Sequence, residues 1–237
     1  SWMGGDRDGN PYVTAPVTAQ TLCRHRNAAI DHHLSYCRKM YDYLTISLHA
    51  AGGGEILRDR LNAATAKWPD LAPVLEAVGP REVYRRWIRM IEWRLGRSRV
   101  VDLFAEAAPG DYGAGAEFEA DVVALCDALQ ADRDGLLVDN EVQGWLDLVR
   151  VFGLHLTRLD IRQDSRRYLE VISELLSAGD VASGFADMSE EEKLKVLSSS
   201  LGFVGGISVA NLSPLAVDTL ELYKTLQRAF VRFGPNC

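Results

Sequence analysis

Apolar residues recur every three, four or seven positions along most of this chain, a spacing that places them on one face of an α-helix. The longest run begins near Thr14 and continues towards the three glycines 52–54. Further helices are predicted over residues 55–66, 81–107, 117–131, 140–152, 165–177 and 213–234, with a Gly-rich, mobile surface loop over 108–115. The chain should therefore be about two-thirds helical.

The bulk composition restricts the possible partners. A length of 237 residues and 47% apolar content suffice for a sizeable core. A net charge of −7 disfavours nucleic acid, and no apolar run approaches the ~18 residues that would span a bilayer. The four cysteines lack the spacing of a zinc site or redox pair, so we expect free thiols in a soluble, cytoplasmic protein.

Residues 4–11, GGDRDGNP, interrupt the helical pattern near the start of the chain. The glycines permit positive φ angles, while Asp6, Arg7, Asp8 and Asn10 bring charge and hydrogen-bonding groups into a tight space. Such a loop suits anion or metal handling, although its spacing matches neither a nucleotide-binding loop nor an EF-hand. The residues alone favour a simpler alternative, a turn whose Asp and Arg side chains brace each other and cap the next helix.

Residues 154–163 form the second interruption, and their alternating apolar and polar side chains predict a strand. On a strand, Arg158, Asp160 and Arg162 share one face, so two guanidinium groups would flank a carboxylate. The planar guanidinium matches phosphate and carboxylate oxygens. An internal ion pair of Arg158 with Asp160 is the favoured alternative for that pair. We expect both interruptions to deliver arginines and carboxylates to one place.

The first interruption, SWMGGDRDGNPxVT, and the second, LxRLDIRQDS, resemble signature stretches of phosphoenolpyruvate carboxylase in the same order and at a compatible separation. Weaker similarity runs through residues 83–85, 212–214 and 233–235. The resemblance implies that 1–237 is a single internal fragment of a larger catalytic chain, and its abrupt ends suggest the same. It implies a strand and active-site loop over 1–13, helical regions over 14–152 and 164–234, and a barrel strand over 154–163. The expected fold is predominantly α-helical, with two strands of an incomplete eight-stranded TIM-like barrel.

The family resemblance also implies an activity for the parent enzyme, which is expected to be a homotetramer. It joins phosphoenolpyruvate to bicarbonate with Mg²⁺ or Mn²⁺, giving oxaloacetate and phosphate through carboxyphosphate and an enolate. Positive charge is needed wherever oxyanions develop. By resemblance, Arg162 faces the phosphate and bicarbonate site, and Trp2 lines the apolar pocket that holds CO₂ and protects the enolate from water.

Other residues receive roles through the same resemblance. Arg7 and Arg158 are expected to bind substrate, Gln163 to support Arg162, and three residues to form the loop beside the pocket, namely Asp6, Asp8 and Asn10. A sugar-phosphate activator contact at Arg85 is a weaker expectation than an ordinary arginine on a helix surface.

The family's essential histidine and metal-binding acidic residues are expected to lie outside the chain, so the fragment alone should be inactive. The chain's own histidines are interpreted as helix-surface or internally hydrogen-bonded residues, namely His25, His32, His33, His49 and His155.

Two other functions compete with the enzyme fragment. A degenerate helical regulatory or scaffold subunit would retain the helices without catalysis, but it has no reason to keep Trp2, Arg7, Arg158 and Arg162. A stand-alone phosphate-binding protein is the least favoured interpretation.

Overall fold

The computed structural model of the chain describes residues 2–44, 53–132, 141–201, 207–235 and 237. Helix accounts for 69% of this described part, which confirms the prediction of a predominantly helical protein. The helices are α1 (Ala15–Tyr43), α2 (Gly53–Lys67), α3 (Ala72–Glu76), α4 (Val83–Arg97), α5 (Gly115–Ala131), α6 (Gln143–Phe152), α7 (Ser165–Ala178), α8 (Glu190–Ser200) and α9 (Pro214–Phe233). None of them combines the length and apolar character needed to cross a bilayer.

The chain divides into two compact units. The first contains residues 1–21 and 159–228, and the second contains residues 22–158 and 229–237. Helices α1 and α9 contribute residues to both units.

The second unit is built around the apolar face of α4. Trp87, Ile88, Ile91 and Leu95 are buried on this helix, because their spacing of three to four residues places them on one stripe. Helix α4 packs on α2, α3 and α5, and α6 packs on α5. The indole N–H of Trp87 donates to the carbonyl of Asp121 at 2.9 Å, so the large ring is buried with its polar group paired.

The segment after α4 departs from the sequence prediction. The helix predicted over 81–107 ends at Arg97, and residues 98–114 are irregular but packed. Tyr112 is fully buried, and Gly110 adopts a φ of +88° against the ring of Trp93. Gly110 and Tyr112 thus place part of the loop predicted over 108–115 inside the protein, although Pro109, Gly113 and Ala114 are exposed, and the mobility of the loop stays a prediction.

A buried arginine explains how this irregular segment is held. Arg94 donates to the carbonyls of Gly110 and Asp111 at 3.2 and 3.3 Å. It also pairs with Asp121 at 2.8 Å and with Glu117 at 2.7 Å. Helical periodicity alone gives no sign of these contacts, because they depend on side chains that the fold brings together.

The first unit has a smaller core, formed by Val171, Leu176, Phe185, Ala216 and Leu222. A capping box begins α8. Ser189 Oγ accepts from the backbone N–H of Glu192, and the Glu192 carboxylate accepts from the backbone N–H of Ser189 at 2.9 Å.

The two predicted strands, at 1–13 and 154–163, do not form as strands in the described residues. The two segments are instead joined by an isolated parallel bridge between Asp6 and Arg162. A strand is stabilised by a ladder of consecutive pairs with neighbours. The described part of this chain supplies one pair of bridging hydrogen bonds, and turns at residues 3–5, 8–9 and 11–12 interrupt the first segment, so no sheet forms there.

His33 confirms the interpretation of an internally hydrogen-bonded histidine. Its Nε2 donates to the carbonyl of Gly153 at 2.8 Å, and its Nδ1 accepts from the indole N–H of Trp145 at 3.2 Å. Burial lowers the pKa of His33 to about 4, although the hydrogen bond to Gly153 opposes the shift. His155 likewise contacts the carbonyl of Phe233 at 3.1 Å, whereas His49 lies outside the described residues. The four cysteines are free, as predicted.

The depressed pKa of His33 should make stability fall in mild acid. Between pH 6.5 and about 4, unfolded chains bind a proton at His33 that folded chains do not, so the free energy of unfolding decreases as the pH falls through this window. From pH 7.5 to 5.0 we expect a loss of about 1–2 kcal/mol from this residue. His33→Gln keeps a donor for Gly153 and an acceptor for Trp145 but does not titrate, so it should remove this part of the dependence and leave the part due to His155, whose pKa burial also lowers to about 4. Urea unfolding at the two pH values measures this.

The matched control for this prediction is His32→Gln, at an exposed neighbouring position on the same helix. It should leave nearly all of the pH dependence of the parent chain, because His32 is the smallest of the causes that set the pKa of His33. Equal pH dependence in the His33→Gln and His32→Gln variants would show that His33 does not cause the loss of stability in mild acid.

Candidate functional site

Backbone hydrogen bonds in the first unit join the two interruptions of the helical pattern. The N–H of Arg7 donates to the carbonyl of Arg162, and the N–H of Arg162 donates to the carbonyl of Gly5, both at 2.9 Å. These two bonds form the parallel bridge between Asp6 and Arg162. Segments more than 150 residues apart in sequence therefore meet at one point.

Two glycines allow this close approach. Gly4 adopts a φ of +81°, and a Cβ atom there would overlap the side chain of Thr21. A Cβ on Gly5 would overlap the carbonyl oxygen of Asp160. The turn is closed by the carbonyl of Trp2, which accepts from the N–H groups of Gly5 at 2.8 Å and Asp6 at 2.9 Å. Close packing of the chain therefore requires glycine at positions 4 and 5.

Trp2 and Arg162 form the exposed part of this junction. The Arg162 guanidinium carbon lies 4.3 Å from the centroid of the Trp2 ring, a cation–π contact. Trp2 is 55% exposed and Arg162 is also exposed. Within the described ranges, Arg162 forms no ion pair with a carboxylate. A stacked guanidinium keeps its N–H edges in its own plane, where they can bind an oxyanion.

Arg7 lies inside the first unit. It is 7% exposed and pairs with the carboxylate of Asp218 on α9. Burial lowers the pKa of its guanidinium below the ordinary value, an effect that Tyr168 opposes. Sequence reasoning missed Asp218. The available signal was that Asp218 is the one charged residue in the sequence 214–220.

The remaining loop residues close local turns. Asp6 Oδ1 accepts from the N–H of Asp8 at 3.3 Å, and Asn10 Oδ1 accepts from the N–H of Tyr12 at 3.1 Å. Gln163 Oε1 accepts from the N–H of Asp164 at 3.0 Å. These contacts form local turns. The simpler alternative expected the Asp and Arg side chains of the loop to brace each other, whereas among the described residues Arg7 pairs with Asp218.

A groove of about 700 Å³ on the first unit brings several predicted residues together. Its lining includes Arg7, Asn10 and Gln163, together with Arg167 and Asp218. Its volume lies in the range of small-molecule sites.

Two predicted site residues belong to the second unit. Arg158 is exposed and lines a separate groove of about 570 Å³. Arg85 stacks on Tyr41 at 4.0 Å, donates to the Tyr41 carbonyl at 3.0 Å and pairs with Glu82 at 2.5 Å. Its guanidinium is thus engaged within its own unit, as the alternative of an ordinary helix arginine predicts.

The residues described here do not assemble a metal centre. Within the described ranges, no three His, Cys, Asp or Glu side chains come together in a way that could hold a metal ion.

The family model and the relatives that match this chain all carry the same description. A family model described as phosphoenolpyruvate carboxylase matches residues 1–237. Proteins named phosphoenolpyruvate carboxylase from Roseiflexus castenholzii and Nocardia farcinica are 32% and 30% identical over 251 and 245 aligned residues. One from Corynebacterium glutamicum is 28% identical over 254 residues. Each alignment covers 100% of this chain and 26% of the relative, so the chain spans about a quarter of the length of these relatives.

The contact at Gly5 should control the junction of the two segments. Gly5→Ala places a methyl group against the carbonyl of Asp160, and we expect a loss of about 2–3 kcal/mol in the free energy of unfolding. For a chain of this size, that loss lowers the melting temperature by roughly 5–10 °C in thermal unfolding followed by circular dichroism.

Gly9→Ala is the matched control, since a Cβ there meets open space and only its φ of +66° causes strain. It should cost about 1 kcal/mol. A Gly5→Ala variant as stable as Gly9→Ala would show that the close approach at Asp160 does not constrain the loop.

Proposed function

The chain belongs to the phosphoenolpyruvate carboxylase family, and from this we propose that it is a segment of a longer carboxylase polypeptide and supplies part of its active site. In this proposal the whole protein joins phosphoenolpyruvate to bicarbonate and releases oxaloacetate and phosphate. The observation that carries the proposal is the stacked pair of Trp2 and Arg162 at the junction of the two signature segments.

Arg162 is proposed to bind the oxyanions of the reaction. Phosphoryl transfer to bicarbonate and capture of CO₂ both develop negative charge on oxygen, and a fixed cation stabilises that charge. Arg162 suits this role because it is exposed, has an extended backbone anchored on both sides, and stacks its guanidinium on an aromatic ring.

Trp2 is proposed to supply an apolar wall beside that cation. Its ring is half exposed while one face covers the guanidinium. An enolate is quenched by any water that can donate a proton, so a large apolar side chain next to the reacting carbon favours carboxylation over protonation.

The other predicted residues receive supporting roles. Asp6, Asn10 and Gln163 brace local turns of the two segments by accepting from backbone N–H groups at 3.0–3.3 Å, and Asp8 supplies one of these N–H groups. Substrate contacts of Arg7 and Arg158, and an activator contact of Arg85, remain predictions from the family resemblance.

The rest of the proposal also depends on family resemblance. It includes a requirement for Mg²⁺ or Mn²⁺ bound by residues outside this chain, a homotetrameric parent, a cytoplasmic location and an inactive isolated segment. The competing function, a helical scaffold without catalysis, gives no reason for an exposed arginine stacked on an exposed tryptophan at the junction.

Substitution of Arg162 in the longer polypeptide tests the proposed function. Oxaloacetate formation from phosphoenolpyruvate, bicarbonate and Mg²⁺ is followed with malate dehydrogenase and NADH. We expect Arg162→Ala to lower kcat/KM by about 10²–10³-fold, since it removes a charge that stabilises the transition state. The 237-residue chain alone should give no turnover.

Arg166→Ala is the control, because Arg166 is an exposed arginine four residues away that pairs with Asp164 at 2.6 Å. It should retain activity within a few-fold of the parent. An active Arg162→Ala enzyme, or a longer polypeptide without any carboxylase activity, would overturn the proposal.

A further inference from the structure

We propose that Asp218 is a positioning residue for the carboxylation reaction, acting through Arg7 on the backbone of Arg162. This inference rests on the proposed function and adds a residue that the signature segments do not contain. Asp218 lies 56 residues after Arg162 in the sequence, and it enters the site by way of α9.

The Asp218 carboxylate holds two points of the chain, one within the glycine-rich loop and one after it. It pairs with the Arg7 guanidinium, and its Oδ1 accepts from the backbone N–H of Ala15 at 3.2 Å. Arg7 lies within the loop, and Ala15 is the first residue of α1. A single side chain therefore fixes two points of the chain that flank the turn at residues 8–13.

Arg7 transmits this anchoring to Arg162. Its side chain is held by Asp218, while its backbone N–H donates to the carbonyl of Arg162 at 2.9 Å. The N–H of Arg162 in turn donates to the carbonyl of Gly5 at 2.9 Å. Movement of Arg7 would consequently disturb one of the two hydrogen bonds that set the position of Arg162.

Burial makes the ion pair a stiff connection. The Arg7 side chain is 5% exposed and that of Asp218 is 32% exposed, so solvent cannot readily replace the carboxylate. Loss of one partner leaves the other charge buried without compensation. An Arg7 without its carboxylate would have to move towards water, and the loop would move with it.

Helix α9 provides a rigid base for this connection. Ala216, Thr219 and Leu222 are buried on the same helix around Asp218. The helix start is fixed by Ser213, whose Oγ accepts from the N–H of Ala216 at 3.2 Å and donates to Glu174 at 2.6 Å. The carboxylate is thus presented from an element that is itself anchored on both sides of the residue.

The first measurement compares Asp218→Asn with Glu221→Gln in the longer polypeptide. Glu221 is an exposed carboxylate on the same helix that pairs with Lys224 at 2.7 Å. We expect Asp218→Asn to lower kcat/KM for phosphoenolpyruvate by about ten- to a hundredfold, the effect of a displacement near 1 Å at a reacting centre. Glu221→Gln should stay within about twofold.

A double-mutant cycle separates positioning from general loss of structure. In an Arg162→Lys background, which keeps a charge but loses the planar fork, Asp218→Asn should have little further effect on kcat/KM. A purely structural role of Asp218 predicts instead the same fold-reduction in both backgrounds, and that result would overturn the proposal.

Amide hydrogen exchange provides a readout that needs no turnover. Asp218→Asn should increase exchange at the amides of Arg7 and Arg162, while the helices α2, α4 and α5 keep their protection. Unchanged exchange at both amides would also overturn the proposal. If the parent polypeptide shows no carboxylase activity, the proposed function fails and the reaction role of Asp218 fails with it, whereas exchange still reports whether Asp218 holds Arg162.

Discussion

The geometry of the candidate site depends on a pair of backbone hydrogen bonds between residues 5–7 and Arg162. Two such bonds are weak by themselves, since each contributes about 0.5–1.5 kcal/mol. Here they are reinforced by three other contacts: the stacked ring of Trp2, the ion pair of Arg7 with Asp218, and the close fit of Gly5 under the carbonyl of Asp160. Together these contacts replace the ladder that a complete sheet would provide.

Local periodicity predicted most of the helical part of this fold. Predicted helices over 55–66, 117–131 and 165–177 agree with α2, α5 and α7 to within a few residues, because each presents one apolar stripe. The helix predicted to reach residue 107 ended at Arg97, since the following residues are held by tertiary contacts of Arg94 rather than by their own periodicity. Such contacts leave no regular spacing in the sequence.

The candidate site, like the fold, could be predicted from the sequence only in part. The two signature segments could be recognised, and their meeting at Asp6 and Arg162 agrees with the expectation that they lead to one place. The prediction of strands was wrong for the described residues, because strand formation depends on partners that alternation within one segment does not specify. Asp218 could not be linked to Arg7, since 211 positions separate the two residues in sequence.

The fit around the paired glycines also limits how this loop can diversify. At positions 4 and 5 any side chain larger than hydrogen meets another part of the chain, whereas a Cβ at Gly9 meets open space. Asp8 and Asn10 are exposed on either side of Gly9. Substitutions at these two exposed positions can therefore change the charge and hydrogen-bonding groups on the surface of the loop. The backbone next to Trp2 and Arg162 would keep its conformation.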